Sequence, residues 1–262
     1  MRFSTLFSGS SGNAIYIESD ESSILVDAGL SGVRIQTALE TIGRSASQLD
    51  AILVTHEHRD HICGVGVLSR RFDIPVLATK DTWTAMKSTV GKITDKNKIC
   101  LGPGERKAVQ DIGIDFFATS HDAVDPCGYV FSHGHERMGL LTDTGCLHEH
   151  MDEALTGCQC LVLEANHDME MLINGPYPWH LKQRIRGNRG HLSNDAAGEA
   201  LSRFVTADTC RVVLAHLSAE NNLPELAMAA AVGIMEQLGR RSVSVSVAPR
   251  YQPLPLAAVG EE

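Results

Sequence analysis

The segment Thr55-His56-Glu57-His58-Arg59-Asp60-His61 packs three imidazoles and the Asp60 carboxylate into six positions, 56 to 61. It follows Ala51-Ile52-Leu53-Val54, an apolar run that reads as a buried strand. In an extended segment His56 and His58 leave the same side of the chain. Asp60 and His61 fall where an apolar-periodic stretch running to Phe72 starts a helix, so they address a neighbouring position. Such a set suits two adjacent metal ions better than a chance gathering of the twelve His in the chain. Ligand-type residues also recur after other apolar runs. Val26 precedes Asp27, the run ending at Ala118 leads to His121, and Leu141 precedes Thr142-Asp143. Leu163 precedes Glu164-Ala165-Asn166-His167, and Ala215 precedes His216. The repetition predicts loops gathered on one edge of the sheets, where functional residues tend to sit.

The positioning elements can be read in order. Arg2–Phe7, Ala14–Glu18 and Ser23–Val26 are short strands, joined by Ser8-Gly9-Ser10-Ser11-Gly12-Asn13 and Ser19-Asp20-Glu21. The first turn is equally a solvated hairpin or a phosphate cradle on these residues alone. Val33–Ile42 has helical spacing and stops at Gly43, and Ile74–Ala78 is a strand. Asp81 is expected to cap a helix that ends at Gly91. Lys107–Val109 and Ile114–Ala118 flank a turn at Asp111-Ile112-Gly113; Tyr129–Phe131 and Met138–Leu141 flank one at Ser132–Glu136, whose His133 and His135 are not expected to be ligands. Later come a strand at Leu161–Leu163, helical segments near Met169 and Leu181, and a helix over Asn194–Phe204. A strand at Arg211–Ala215, a helix over Pro224–Leu238 and a half-buried strand at Ser242–Val247 complete the chain. Strands in runs with helices in both halves predict sheets packed face to face and covered by helices, a single domain over 1–262.

Bulk composition narrows the class. At 262 residues, 43% hydrophobic and 21% charged, the chain is an ordinary globular protein. The first twelve residues lack an apolar core flanked by positive charge, and no run reaches membrane-spanning length, so a cytoplasmic protein without membrane attachment is expected. Seven Cys, an odd and sparse set, read as reduced thiols; Cys158 and Cys160 are expected to be buried strand residues. A formal charge of −9 argues against wholesale electrostatic binding to nucleic acid, although two divalent ions would offset part of it inside the cleft.

Asp27 in Val-Asp-Ala-Gly, the His56–His61 cluster, His121, Asp143 in Thr-Asp-Thr-Gly and His216 in Ala-His-Leu-Ser resemble, in order, the metallo-β-lactamase fold superfamily. The resemblance implies an α+β fold, a four-layer αββα sandwich with its metals at one edge. It implies that His56, His58 and His121 hold one ion, that Asp60, His61 and His216 hold a second, and that Asp143 bridges both. Asp27 would support these ligands from behind. Gly190-His191-Leu192-Ser193 ahead of His216 resembles the phosphodiesterase branch, which includes tRNA 3′-processing enzymes. The stretches Ser8–Asn13, Glu164–Asp168, Asn174–Trp179 and Gly190–Asn194 are most similar to the YycJ/WalJ-type bacterial metallohydrolases, regarded as DNA exonucleases. The short His121–Asp143 interval leaves no room for a long tRNA-clamping arm, which places DNA ahead of RNA as substrate.

The expected chemistry is phosphodiester hydrolysis, with a hydroxide held between two ions attacking phosphorus in line. Asp60 would orient the nucleophile, and His191 would give a proton to the leaving alkoxide or stabilise charge on the phosphoryl oxygens. His167 has either a direct role at phosphate or metal or a supporting hydrogen-bonding one. Trp179, Lys182, Arg184, Arg186 and Arg189, just upstream of His191, offer stacking and phosphate contacts; the bland alternative is a solvated helix with Trp179 in the core. Ser10, Ser11 and Asn13 would seat a terminal 5′-phosphate, making the enzyme a 5′-to-3′ exonuclease. The rival activity is thioester or lactone hydrolysis of the glyoxalase II type on the same metals. Mixed His/Asp ligation fits zinc, manganese or iron, and nothing in the sequence sets an oligomeric state.

Overall fold

The computed structural model describes residues 1–102 and 104–260. Its strands are β1 (Arg2–Phe7), β2 (Ala14–Glu18), β3 (Ser23–Val26), β4 (Ala51–Leu53), β5 (Val76–Thr79), β6 (Lys98–Leu101) and β7 (Lys107–Val109). They continue with β8 (Ile112–Ala118), β9 (Cys127–His133), β10 (Glu136–Leu141), β11 (Cys160–Glu164), β12 (Arg211–Ala215), β13 (Ser244–Val247) and β14 (Ala257–Ala258). The helices are α1 (Gly32–Thr41), α2 (Arg59–Ile62), α3 (Val65–Phe72), α4 (Lys80–Val90) and α5 (Glu149–Leu155). After them come α6 (Met169–Asn174), α7 (Trp179–Ile185), α8 (Asn194–Phe204) and α9 (Pro224–Gln237). No helix among the described residues is long and apolar enough to cross a membrane.

Two seven-stranded sheets form, in the orders β14-β1-β2-β3-β4-β5-β6 and β13-β12-β11-β10-β9-β8-β7. Strands β3 to β6 run parallel, as do β10 to β13, so within each group the carboxyl ends share one edge. Both faces of the inner strands β3, β4, β5, β11 and β12 are covered, which explains why they read as apolar runs instead of alternating ones. Ile24 and Val26 join Tyr129, Phe131 and Val213 in the core between the sheets. Leu25, between Ile24 and Val26, turns to the other face and packs with Ile35, Leu39 and Leu68 of α1 and α3. Val212 and Leu214 pack likewise on Ala197, Phe204 and Ala231 of α8 and α9. Helix, sheet, sheet, helix is the expected αββα sandwich, and the chain has the α+β fold.

The local differences have local causes. The helix expected from Asp60 to Phe72 is two helices, broken at Cys63-Gly64. Gly64 donates its N–H to Ala28 O at 2.7 Å, and a Cβ there would stand 2.4 Å from Leu30 O, so the backbone contact sets the break. Thr79, not Asp81, caps α4, its hydroxyl accepting from Thr82 N. The first hairpin turns at Gln110-Asp111, with Gln110 at φ 49°, and the second at Gly134-His135, so that β9 and β10 run longer than expected. His133 lies at the end of β9 and its Nε2 faces Asp111 at 3.0 Å. Strand β6, helix α5 and the two-residue β14 were absent from the expectation.

Candidate metal centre

Three side chains of the cluster leave the chain where a strand stops and the backbone turns left-handed. Asp27 after β3, Asp143 after β10 and His216 after β12 have φ of 59°, 57° and 57°. That region costs an L-residue roughly 1–2 kcal/mol, and Asp, Asn and His are the types that tolerate it best after glycine. The strain is thus concentrated where the side chains must be aimed into the cleft.

The residues expected as ligands come together. His56, His58 and His121 form one group whose ligand-capable atoms all lie within 4.8 Å of one another; Asp60, His61 and His216 form another. Asp143 stands between them, with Oδ2 3.4 Å from His61 Nε2 and Oδ1 3.8 Å from His121 Nε2.

Supporting contacts settle which imidazole nitrogen is left free. Thr55 Oγ1 donates to Asp27 Oδ2 at 2.8 Å, so its lone pair accepts from His56 Nδ1 at 3.0 Å. His61 Nδ1 donates to Asp27 Oδ2 at 2.7 Å, and His121 Nδ1 to Gly190 O at 3.0 Å. His216 Nδ1 donates to Glu164 Oε1 at 2.8 Å. Each ring is thereby held in the tautomer that presents Nε2, the usual arrangement behind metal-binding imidazoles. His56 Nε2, His216 Nε2 and Asp143 Oδ2 are buried without a hydrogen-bond partner. Orphaned donor atoms of this kind are costly unless something else binds them, and the donor set fits divalent cations.

Charge tells the same story. Burial alone would depress His61, but Asp143, Asp27 and Asp60 outweigh it and hold the imidazole up at about 9. His216 is raised well above its ordinary value, burial again being overcome by Asp143, Asp60 and Glu164. Burial opposes ionisation of Asp60 and Asp143, yet the imidazoles around them hold both carboxyls below the usual range. His56 is pushed far down by burial and by His61 and His121 beside it. The imidazoles of His61 and His216 and the carboxyls of Asp60 and Asp143 thus each favour the charged form of the other.

Glu164 is the functional residue that sequence reasoning passed over. It is fully buried at the end of β11 and accepts four hydrogen bonds. Oε1 takes His191 Nδ1 at 2.7 Å and His216 Nδ1 at 2.8 Å; Oε2 takes Thr144 N at 3.2 Å and Leu192 N at 3.1 Å. Burial resists its ionisation, but His191 and His216 hold it well below the carboxylate range. The available signal was its place after an apolar run, the same signal that marked Asp143 and His216. His191, so anchored, has its ring centroid 4.9 Å from that of His121 and 5.2 Å from that of His216.

His167 joins no ligand group among the described residues. It is buried, neither ring nitrogen has a hydrogen-bond partner, and burial pushes it down to about 4 despite Glu164 nearby.

The cleft over the cluster measures about 290 Å³, and Ser10, Tyr177, Arg184 and His191 line it. Arg184 also pairs with Asp122, and Arg186 lies over the Trp179 ring at 5.3 Å from its centroid. Trp179 is 56% exposed, so the core alternative for it does not hold. Three expected substrate contacts are turned to structural work. Lys182 is buried and donates Nζ to Ile173 O and Gly175 O, both at 2.7 Å, which pins α7 to the loop before it. Arg189 donates to His121 O and Ala123 O. Asn13 Oδ1 accepts from Gly9 N at 2.8 Å, which ties the first turn together, and its Nδ2 stands 3.0 Å from His61 Nε2. Ser11 is exposed and outside the residues lining the cleft.

The β-lactamase superfamily domain matches residues 22–217. The chain is 41% identical over 239 residues to a Bacillus anthracis protein named exodeoxyribonuclease YycJ, covering 91% of this chain and 90% of that one. It is 44% identical over 248 residues to Streptococcus pneumoniae exodeoxyribonuclease WalJ, covering 94% and 91%. The solved structure of the metallo-β-lactamase fold protein YhfI from Bacillus subtilis superposes with a TM-score of 0.71 over 97% of this chain and 99% of its own, at 18% identity, which speaks to the fold alone. The chain belongs to the metallo-β-lactamase superfamily, in the family of its YycJ and WalJ relatives.

Proposed function

We propose that the protein is a cytoplasmic DNA exonuclease of 5′-to-3′ polarity that depends on two divalent cations, zinc or manganese with iron as the third option. His56, His58 and His121 would hold one cation, Asp60, His61 and His216 the other, and Asp143 both. Bound there, the cations supply Lewis acidity and lower the pKa of water at the site towards ~7. The observation that carries the reading is His191: its Nδ1 is fixed on Glu164 at 2.7 Å, which leaves Nε2 to give a proton to the leaving alkoxide within the same cleft. Asp60, one-quarter exposed beside His61 and His216, orients the attacking group. Ser10 and Arg184, at the cleft wall, meet the phosphates at the strand end. The relatives' printed names support DNA as substrate. All seven cysteines are thiols, which supports a reducing compartment.

The test measures cation content and hydrolysis together on 5′-phosphorylated DNA, RNA and a thioester. Turnover of the thioester above that of DNA would overturn the reading.

Two further outcomes follow from the site. Glu164→Gln replaces a four-fold acceptor with a group that must donate on one side, so it cannot serve both imidazoles and both backbone N–H groups. Activity should fall about 10–100-fold. Retention of full activity would show that Glu164 does not set the two rings.

Cation binding must displace protons from His61 and His216. The folded-state pKa of His61 is raised from 6.5 to about 9, so its charged form stabilises the metal-free fold fully below 6.5 and loses that contribution as pH rises through 9. Cation affinity should therefore climb across that window, with proton release visible by calorimetry in buffers of different ionisation enthalpy. A pH-independent affinity would contradict it.

A further inference from the structure

Helix α4 and the edge strand β6 border a groove of about 560 Å³, outside the cleft. Trp83 and Val90 supply apolar lining, and Lys80, Lys87, Lys92 and Lys98 line it as well. All four lysines are exposed. Such a concentration of ammonium groups stands out in a chain of formal charge −9. Lys98 pairs with Asp95 at 2.8 Å, and Lys92 stands close enough to act on the same carboxylate. Lys80 and Lys87 form no ion pair among the described residues. A lysine on an edge strand also guards against strand addition, which accounts for Lys98 but not for lysines on α4 and the loop after it.

The groove has the right place and length for a strand leaving the cleft. Thr79 and Thr82, at the start of α4, both donate their hydroxyls to Asp125 O, at 3.4 and 3.2 Å. The loop that carries Asp125 also carries His121 and Asp122, which line the cleft. From that junction the eleven residues of α4 extend ~16 Å, long enough to follow a short stretch of a single strand. Trp83 Nε1 is tied to Ile99 O at 3.0 Å, which fixes an indole at the groove's edge.

We infer that this groove is a second contact surface for single-stranded DNA, in which Lys80, Lys87 and Lys92 hold the backbone and Trp83 receives an unpaired base. The inference rests on the nuclease reading and extends it beyond the cleft. Charge complementarity favours a polyanion, and the apolar lining favours one with exposed bases.

The test compares wild type with Lys80→Gln/Lys87→Gln/Lys92→Gln in the full chain. Binding of a long single-stranded oligonucleotide is followed by fluorescence anisotropy over a salt series, and turnover is measured on that strand and on a small chromogenic phosphodiester. KM for the long strand should rise roughly tenfold or more, and the slope of log affinity against log salt should flatten by about 2, at ~0.7 per lost contact. Turnover of the small diester should not change. Arg240→Gln/Arg241→Gln, just beyond the end of α9, removes two positive charges away from the groove and serves as the control. An unchanged slope and KM in the triple variant, or the same change in the control, would overturn the inference. Lysine-dependent binding by a wild type that does not cut DNA would sink the nuclease reading and leave this surface standing.

Discussion

Asp143→Asn should leave a folded protein that no longer holds its full complement of cations and whose DNA hydrolysis has dropped by roughly 10³-fold or more, beyond what an outer-shell change costs. The expectation separates backbone from charge. Asn tolerates the left-handed conformation that Asp143 adopts at φ 57°, so the turn after β10 survives. What disappears is the carboxylate that lies 3.4 Å from His61 Nε2, 3.5 Å from His216 Nδ1 and 3.8 Å from His121 Nε2. It is the strongest opposing charge for both raised imidazoles, so both lose protons more easily in the variant. Metal analysis beside circular dichroism reads both halves of the claim. A variant with native cation stoichiometry and native rate would mean that Asp143 bridges nothing.

His191→Ala is expected to behave differently: turnover falls by about 10²–10⁴-fold, the range for a positioned proton donor, while cation content stays close to native. The reason lies in Glu164. Removing one of the two imidazoles on Oε1 leaves the other bond, to His216, in place, together with the two backbone N–H donors on Oε2. His216→Ala supplies the contrast, since it should reduce both quantities. Parallel loss of metal and turnover in His191→Ala would make His191 a structural or ligand residue instead of the proton donor.

Much of the centre was legible in the sequence because each cluster residue follows an apolar run, and strands buried on both faces are the easiest elements to recognise. Asp27, the 56–61 cluster, Asp143 and His216 all carried that mark. Glu164 carried it too, yet its part depends on His191 and His216, far apart in the chain, reaching the same oxygen. No spacing rule encodes such a meeting. Lys182 looks like the basic residues beside it; only the packing of α6 against α7 buries it and gives its ammonium two carbonyls to hold. Asn13 likewise looked like a phosphate donor because the turn is rich in small polar residues, whereas the fold brings His61 against its amide. The break between α2 and α3 comes from the contact of Gly64 with Ala28 and Leu30, much earlier in the chain, which periodicity does not see. Strand β6 was missed because Lys98-Ile99-Cys100-Leu101 is an edge segment with only one well-buried residue.

The division of the chain between its two sheets reaches further than architecture. Everything from β1 to β6 builds one sheet and everything from β7 to β13 the other, with only the short β14 returning to pair with β1. The proposed ligands split the same way: His56, His58, Asp60 and His61 before the crossover, His121, Asp143 and His216 after it. A protein nicked between Leu101 and Lys107 would become two pieces fastened by the inter-sheet core, the β14 clasp and whatever ions both pieces grip. Chelation should then loosen the nicked pair far more than the intact chain, so that ions act as a rivet across a seam.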